Sequence, residues 1–289
     1  MGARGPRRQG ARSHSQRMAS RDGYFAPESV IRMVGNSPVA PFLGGGAAVL
    51  LQVAHPLVAA GVVEHSDFRR DLWSRLMRTL RALYLITYGS KAEADAIGEG
   101  VRAAHARVHG RTTTRLGAFP AGTRYSAADP HLMLWVHATL VDVSLSSYQR
   151  FERALSADDQ EAYYRQMAVV ARIFGTPADV IPPTLREFRD YFDAQIAGSV
   201  IEVTPPAREV AAVILDAPLP SLMRFITPAH RMATGAHLPP RLREQYGLVQ
   251  SRRTTLILPL AARSLKLTAW PLLRATTRLS PPAGFARQG

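Results

Sequence analysis

Three histidines lie in apolar stretches of this chain, where an ionisable side chain is costly to bury unless it has a partner or a ligand. They are His55, His105 and His137. A core histidine is most often a packing residue that hydrogen-bonds to a neighbour, but imidazole is also the usual ligand of haem iron. The chain has no cysteine, which excludes thiolate-bound zinc, iron–sulfur clusters and cysteine nucleophiles. The sequence therefore directs attention to imidazole chemistry.

Residue spacing tests two other metal chemistries. Carboxylate-bridged di-iron bundles use Glu-x-x-His pairs and zincin proteases use His-Glu-x-x-His, and neither pattern occurs in the chain. His105 and His109 are four residues apart, which would let one helix face offer two ligands, but no acidic residue accompanies them. We therefore keep His109 as the alternative to His105 for a single metal ligand.

Arg75 and Thr79 are also four residues apart and share one face of a predicted helix. A solvated arginine is the ordinary interpretation of such a position. In a haem protein, however, a guanidinium suits a propionate and a threonine hydroxyl can hydrogen-bond to bound oxygen.

The glycine run 44–46 does not indicate a phosphate-binding loop, because no strand precedes it and no lysine follows it. The chain also lacks the G-x-S-x-G motif of hydrolases and the G-x-G-x-x-G motif of dinucleotide-binding proteins. We expect these glycines to open a helix and to let two helices approach closely.

The elements that position these residues are predicted to be helices, because apolar residues recur at helical spacing and clear strand alternation appears nowhere. The run 45–66 should form two helices that meet at His55-Pro56, since proline cannot continue the hydrogen-bond ladder. His55 would then either satisfy the backbone groups freed by Pro56 or face a bound ligand.

The helix over 91–109 is expected to place His105 on its apolar stripe and His109 at the edge of that stripe, with Gly110 as a left-handed cap. A loop at 111–128 follows. A central buried helix then starts at Asp129-Pro130 and carries His137. Other helices are predicted over 28–34, 69–88, 156–174, 185–198, 205–215, 219–234 and 239–246.

Roughly ten helices with short loops indicate one all-α domain over 22–250.

The net charge of +14 is concentrated in a basic tail at 1–21, expected to be disordered, and in a basic amphipathic segment at 251–289. The nearly neutral body excludes a nucleic-acid-binding domain. The N-terminus lacks the apolar region of a secretory signal. We therefore expect a cytoplasmic protein whose C-terminal segment can make peripheral contact with a membrane.

The succession of short motifs resembles the MpaB-type oxygenase family, which includes the rubber oxygenases, or latex-clearing proteins. The resemblance covers about 22–240 and is carried by DGYFAPES, LGGGAAVLLQVAHPLVAAGV, HSDF, RLMRT, VRAAHARVHG and YSAADPHLMLWVHATL. It implies a single globin-like, multi-helix domain around a b-type haem. It also implies the use of O2 to cleave isoprenoid double bonds.

The resemblance assigns roles to residues of this chain. His105 matches the proximal iron ligand of the family, with His109 as its rival. Arg75 and Thr79 match a pair that lies near the haem, where Arg75 would hold a propionate or substrate and Thr79 would lie near the oxygen. To these we add His55 as a distal candidate and His137 as a residue of the haem pocket. We expect the pocket wall to come from 47–63 and 132–141.

One departure from the family concerns Arg78, because rubber oxygenases carry a lysine at that position. Arginine stays protonated and is a poor iron ligand. The predicted function is therefore a haem b-dependent oxygenase or peroxygenase that uses O2 on a small apolar, isoprenoid-like substrate. The alternative is a non-catalytic haem- or lipid-binding helical protein at the membrane surface. The sequence leaves the oligomeric state open.

Overall fold

The computed structural model describes residues 22–37, 40–66, 72–216 and 227–248, without the side chains of 40–42 and 72–76. The tails predicted at 1–21 and 251–289 lie outside these residues. The all-α prediction is confirmed for the described part, while the globin-like arrangement stays a prediction. Its helices are α1 Val30–Gly35, α2 Ala40–Val53, α3 Pro56–His65, α4 Leu72–Tyr88, α5 Lys91–Ala106, α6 Pro130–Phe151, α7 Ala157–Phe174, α8 Leu185–Ala197, α9 Pro205–Leu215, α10 Thr227–His237 and α11 Pro240–Gln245.

Helix α2 lies at the centre of the described part, packed along α6 and against α9 and α10. Two of its glycines allow this close approach. A methyl group at Gly44 would clash with the Ser147 hydroxyl on α6, and one at Gly46 would lie 2.5 Å from Thr234 Oγ1 on α10. The expectation that this glycine run lets helices approach closely is therefore confirmed, but the expectation that it opens a helix is wrong, because α2 begins at Ala40 and the glycines lie inside it.

Helices α2 and α3 meet at the predicted break, where the chain bends by 103°. His55 is the N-cap of α3, and Pro56 takes the first helical position, where its missing N–H costs nothing. By length and composition the bent pair Leu43–Val53 and Pro56–His65 could together cross a membrane. No single helix in the described residues is long and apolar enough to do so.

Other helices begin and end where the sequence carries the matching signals. Ser90 and Glu93 form a reciprocal capping box at the start of α5. Asp129 accepts hydrogen bonds from the backbone N–H groups of His131 and Leu132 at 2.8 and 3.2 Å, so it caps α6. Helix α7 ends at Gly175, whose φ of 100° is a left-handed conformation that favours glycine.

A buried arginine fastens α1 to the end of α4. Arg32 is only 4% exposed, and its Nε donates to the Thr87 carbonyl oxygen at 3.0 Å. Its guanidinium also lies 5.5 Å from the centre of the Tyr88 ring. The partial negative charge at a helix C-terminus and the aromatic face together stabilise this buried cation.

Between α5 and α6, where the sequence predicts the end of a helix and a loop over 111–128, the structure has a short β-hairpin. There β1, His109–Arg111, pairs antiparallel with β2, Arg124–Ser126. Each strand has three residues, which is too short to show alternation in the sequence. Helix α5 accordingly ends at Ala106, three residues before the expected end.

Gly110 is not the left-handed helix cap that we expected, because it lies in β1 and has no positive φ. A methyl group at Gly110 would stand 2.6 Å from the Tyr125 hydroxyl oxygen. The glycine is needed there for space rather than for backbone freedom. Two smaller differences are that α1 begins at Val30 rather than at 28, and that the helix expected over 219–234 is described only as α10, with 217–226 outside the described residues.

Candidate functional site

His105 lies on α5, on the stripe that packs towards α7, and is half-buried while Arg102 and Arg107 are exposed. Its Nδ1 is buried and has no hydrogen-bond partner. Burial lowers the pKa of His105 below its usual value of 6.5, which favours the neutral imidazole that a metal requires. An inward-facing imidazole whose neutral form is favoured and whose Nδ1 has no hydrogen-bond partner is suited to bind a ligand.

His137 lies on the central helix α6 and is 5% exposed. Both of its ring nitrogens are buried and neither has a hydrogen-bond partner. Burial lowers the pKa of His137 to about 4, so the ring is neutral at pH 7. An imidazole left without any partner in an apolar core is costly, which makes His137 the most unusual polar group of the described core.

His55 has a structural role at the corner between α2 and α3. The Leu57 N–H donates to its Nδ1 at 3.3 Å, so the imidazole satisfies one of the open donors at the start of α3. Burial lowers the pKa of His55 to about 4, against an opposing effect of the Asp129 carboxylate. The ring also lies 5.7 Å from that of Phe119. These contacts account for His55 without a ligand, and its distal role stays a prediction.

His109 does not share a helix face with His105, so the prediction that both histidines lie on one helix is wrong. It is exposed on β1, opposite Ser126. It borders an open depression of about 660 Å³ lined by the β-hairpin and Asp129. Within the described residues, no group of three or more His, Asp or Glu side chains is arranged to hold a metal ion. His105 is therefore the better placed of the two for a ligand facing the protein interior.

Helix α4 is buried near its C-terminal end, whereas the residues in its middle are exposed to solvent. Residues 77–81 are all exposed, and at 100° per residue they cover the full circumference of the helix. Thr79 is among them, as is Arg78. Three large apolar side chains in this helix are also exposed: Met77 at 45%, Leu80 at 40% and Tyr84 at 49%. The side chain of Arg75 lies outside the described residues.

The stretches expected to line a pocket, 47–63 and 132–141, are mostly packed in the core. Along α2 and α6 the two stretches pack on each other, as shown by the Trp135 indole N–H, which donates to the Gln52 carbonyl oxygen at 3.3 Å. The structure thus brings these stretches together as predicted, but as a packed core rather than as an open wall.

Sequence reasoning missed a polar cluster at the end of α3. The buried Tyr125 hydroxyl donates to the Glu64 carboxylate and lies 3.2 Å from His65 Nε2. Burial and the Glu64 carboxylate raise the pKa of Tyr125 above its usual range. The adjacent Glu64-His65 pair was the only local signal, and its tyrosine partner is 60 residues away in sequence.

A haem group suits the residues that the structure describes. His105 offers a nitrogen ligand whose neutral form is favoured by burial, and its buried Nδ1 has no hydrogen-bond partner among the described residues. The nearby open stretch of α4 exposes apolar side chains that a large flat apolar group could cover. The class of protein that the described residues define is an all-α protein, with His105 as a candidate ligand.

The chain belongs to the family described as ER-bound oxygenase mpaB/B'/rubber oxygenase, catalytic domain, which matches residues 31–270. Its relatives include uncharacterized proteins of Mycobacterium bovis and Mycobacterium tuberculosis. Each is 26% identical over 237 residues, which is 78% of this chain and 89% of the relative. No solved structure matches the chain. The domain is therefore an oxygenase catalytic domain by family.

Proposed function

We propose that the protein is a haem b-dependent oxygenase that acts with O2 on a small apolar, isoprenoid-like substrate. The observation that carries the proposal is the unpartnered buried Nδ1 of His105, in a stretch that resembles the one carrying the family's proximal ligand. The membership of the chain in an oxygenase family supports the reaction class. The isoprenoid-like substrate class is inferred from the resemblance to rubber oxygenases.

The residues of the chain have distinct roles in this proposal. His105 holds the iron, and burial, which lowers the pKa of its imidazole, favours the neutral form that a metal requires. Arg75 pairs with a haem propionate or orients the substrate. Thr79, exposed on the same helix, offers a hydroxyl that can donate a hydrogen bond to oxygen. His109 is the alternative iron ligand. Arg78 stands where rubber oxygenases have a lysine, so that lysine is not there to bind the iron.

The haem would supply the activation of O2, and the protein would supply binding, orientation and the exclusion of water. In overall balance, one carbon–carbon double bond and one O2 give two carbonyl groups, so the cleavage needs no external electrons. The exposed apolar side chains of α4, Met77, Leu80 and Tyr84, favour an apolar substrate or cofactor face over a charged one.

The first test is haem binding by the full chain. The purified protein, mixed with haem b, is expected to show a Soret band, and His105→Ala should weaken or shift it. His109→Ala is the matched control, because His109 is four residues away and exposed on β1. A spectrum unchanged in His105→Ala but altered in His109→Ala would move the ligand to His109. A wild-type protein that binds no haem would contradict the proposal.

The second test separates an oxygenase from a haem- or lipid-binding protein without turnover. Oxygen uptake is measured on the haem-loaded protein with squalene as an isoprenoid probe, and carbonyl products are identified by mass spectrometry. Thr79→Val is expected to lower the rate while leaving the Soret band in place. Haem binding without oxygen uptake on squalene or other apolar probes would favour the non-catalytic alternative.

A further inference from the structure

The β-hairpin between α5 and α6 carries a concentration of positive charge. The stretch between Glu99 and Asp129 contains five arginines and no acidic residue. Two of these arginines, Arg111 and Arg124, line the open depression of about 660 Å³ that the hairpin forms with Asp129. We call it the hairpin depression. Its volume is in the range of small-molecule sites in proteins.

The strand register brings Arg111 and Arg124 close together. They lie directly opposite each other on β1 and β2. The next pair along the ladder is hydrogen-bonded, because the Thr112 N–H donates to the Thr123 carbonyl oxygen at 2.9 Å. Hydrogen-bonded pairs of an antiparallel ladder alternate with non-hydrogen-bonded pairs, whose side chains lie closer. The two arginines therefore form a close pair, and like charges placed directly opposite destabilise a hairpin.

The described residues do not neutralise this pair of charges. Neither arginine forms an ion pair with a carboxylate in the described part of the chain. Asp129 already accepts hydrogen bonds from two backbone N–H groups as the cap of α6. One nitrogen of Arg111 donates to the Gly122 carbonyl oxygen at 2.9 Å. Both side chains are exposed, so their other N–H groups are accessible to a ligand.

The loop of the hairpin holds the two strands in this register. The buried Thr112 hydroxyl donates to the Pro120 carbonyl oxygen at 2.9 Å and accepts from the Thr123 N–H at 3.1 Å. Gly122 takes a φ of 83°, which favours glycine. Because the loop is tied by its own hydrogen bonds, the two arginines are opposite each other before any ligand binds, and such preorganisation lowers the cost of binding.

We propose that the hairpin depression binds a phosphate group between Arg111 and Arg124. The planar fork of a guanidinium matches two phosphate oxygens. A phosphate has enough oxygens and charge for both forks, whereas one carboxylate has two oxygens and a single charge. Its binding would remove the repulsion between the two arginines. Soluble phosphate esters and lipid headgroups share this chemistry, and the inference does not depend on haem.

The first measurement is the binding of inorganic phosphate and pyrophosphate to the full chain, by calorimetry at low salt. Arg111→Gln and Arg124→Gln should each weaken binding about tenfold, because each removes charge-assisted hydrogen bonds to the phosphate. Arg124→Lys keeps the charge without the fork and should lose less. The matched control is Arg115→Gln, because Arg115 is exposed in the same basic stretch but does not line the depression.

The second measurement identifies the source of the phosphate group. The full chain is sedimented with phosphatidylcholine vesicles that either contain or lack phosphatidic acid. Binding of the soluble phosphates that both glutamine variants lose would support a soluble ester. Binding only to the phosphatidic acid vesicles, lost in the same two variants, would support a lipid headgroup.

Thermal unfolding shows whether the variants are folded. Without ligand, Arg111→Gln and Arg124→Gln should unfold at or above the wild-type temperature, because the like-charge pair is gone. Equal losses of binding in Arg115→Gln would show a response to net charge alone and would overturn the inference. It would also be overturned if folded wild-type protein bound neither phosphate nor vesicles, or if both glutamine variants bound as the wild type does.

Discussion

His55 shows how one side chain can do the work of a helix cap at a corner. The N–H groups of the first turn of a helix have no partner within the helix, and proline at the first position removes one of them. His55 Nδ1 accepts the next, from Leu57. An imidazole can accept at that nitrogen only when it is unprotonated there, which agrees with a pKa lowered to about 4 by burial.

Replacing His55 tests this capping role. His55→Ala should lower the free energy of unfolding by about 1–2 kcal/mol, whereas His55→Asn, which places a good capping residue at the same position, should recover part of the loss. Urea unfolding followed by circular dichroism measures both. His131→Ala is the control, because His131 is exposed at the start of α6 and should change stability by less than about 0.5 kcal/mol. Equal losses for Ala and Asn would point to packing against Phe119 instead.

At the scale of elements, the three adjacent glycines of α2 have different surroundings. Gly44 faces Ser147 and Val143 on α6, Gly46 faces Thr234 and His230 on α10, and Gly45 has no atom within 4 Å of a built methyl group. Glycine disfavours a helix by about 1 kcal/mol relative to alanine. The first and third positions therefore give up helix propensity in return for close packing, and the middle one does not.

Alanine substitutions in this run should have opposite effects. Gly44→Ala and Gly46→Ala are expected to lower the free energy of unfolding by about 1–3 kcal/mol, because neighbouring helices must move apart. Gly45→Ala should raise it by up to about 1 kcal/mol, because alanine favours the helix and meets no atom. Thermal and urea unfolding of the three variants measure the difference. An equal change in the free energy of unfolding at all three positions would show that helix propensity, not packing, determines the effect of these substitutions.

The sequence predicted the elements whose signals are local. The corner at His55-Pro56, the start of α6 at Asp129-Pro130 and the end of α7 at Gly175 each depend on residues a few positions apart. The hairpin was missed because the partner of His109 is Ser126, which no short-range pattern connects to it. The convergence of Arg102 and Met133 at Gly175 was likewise beyond prediction, because it depends on how three helices pack.

In the candidate site, too, local features could be predicted from the sequence and contacts between distant residues could not. The inward direction of His105 could be predicted from its position on an apolar stripe, and the structure places it half-buried with a buried nitrogen. The rejection of His109 as a second residue on that stripe required knowledge of where α5 ends. The cluster of Tyr125, Glu64 and His65 joins residues from β2 and α3, so the sequence could show its members but not their contact.

At the scale of the whole molecule, several buried histidines make stability depend on pH. Burial lowers the pKa values of His55, His137 and His237 to about 4 in the folded protein, against 6.5 for an ordinary histidine. Between these values the unfolded chain binds protons that the folded chain does not. The stability that these residues contribute is therefore fully present above about pH 6.5 and is lost as the pH falls towards 4.

This pH dependence can be measured by urea unfolding at pH 7.5 and pH 5.0. The wild type should lose stability between the two, by about 2 kcal/mol for each buried histidine of this kind. His237→Gln should be less stable than the wild type at pH 7.5 but should lose about 2 kcal/mol less on acidification. Parallel losses in the two proteins would show that other groups dominate the acid response.

The open middle of α4 has a consequence for how the protein is degraded. A protease must unfold several residues of a helix before it can cut, and that unfolding costs less where the residues are exposed than where they are buried. Trypsin should therefore cut α4 after Arg78 or Arg81, both exposed in this stretch, sooner than it cuts within the buried α6. If haem covers the stretch, its addition should slow these cuts severalfold, and mass spectrometry of the fragments would report occupancy without any assay of turnover.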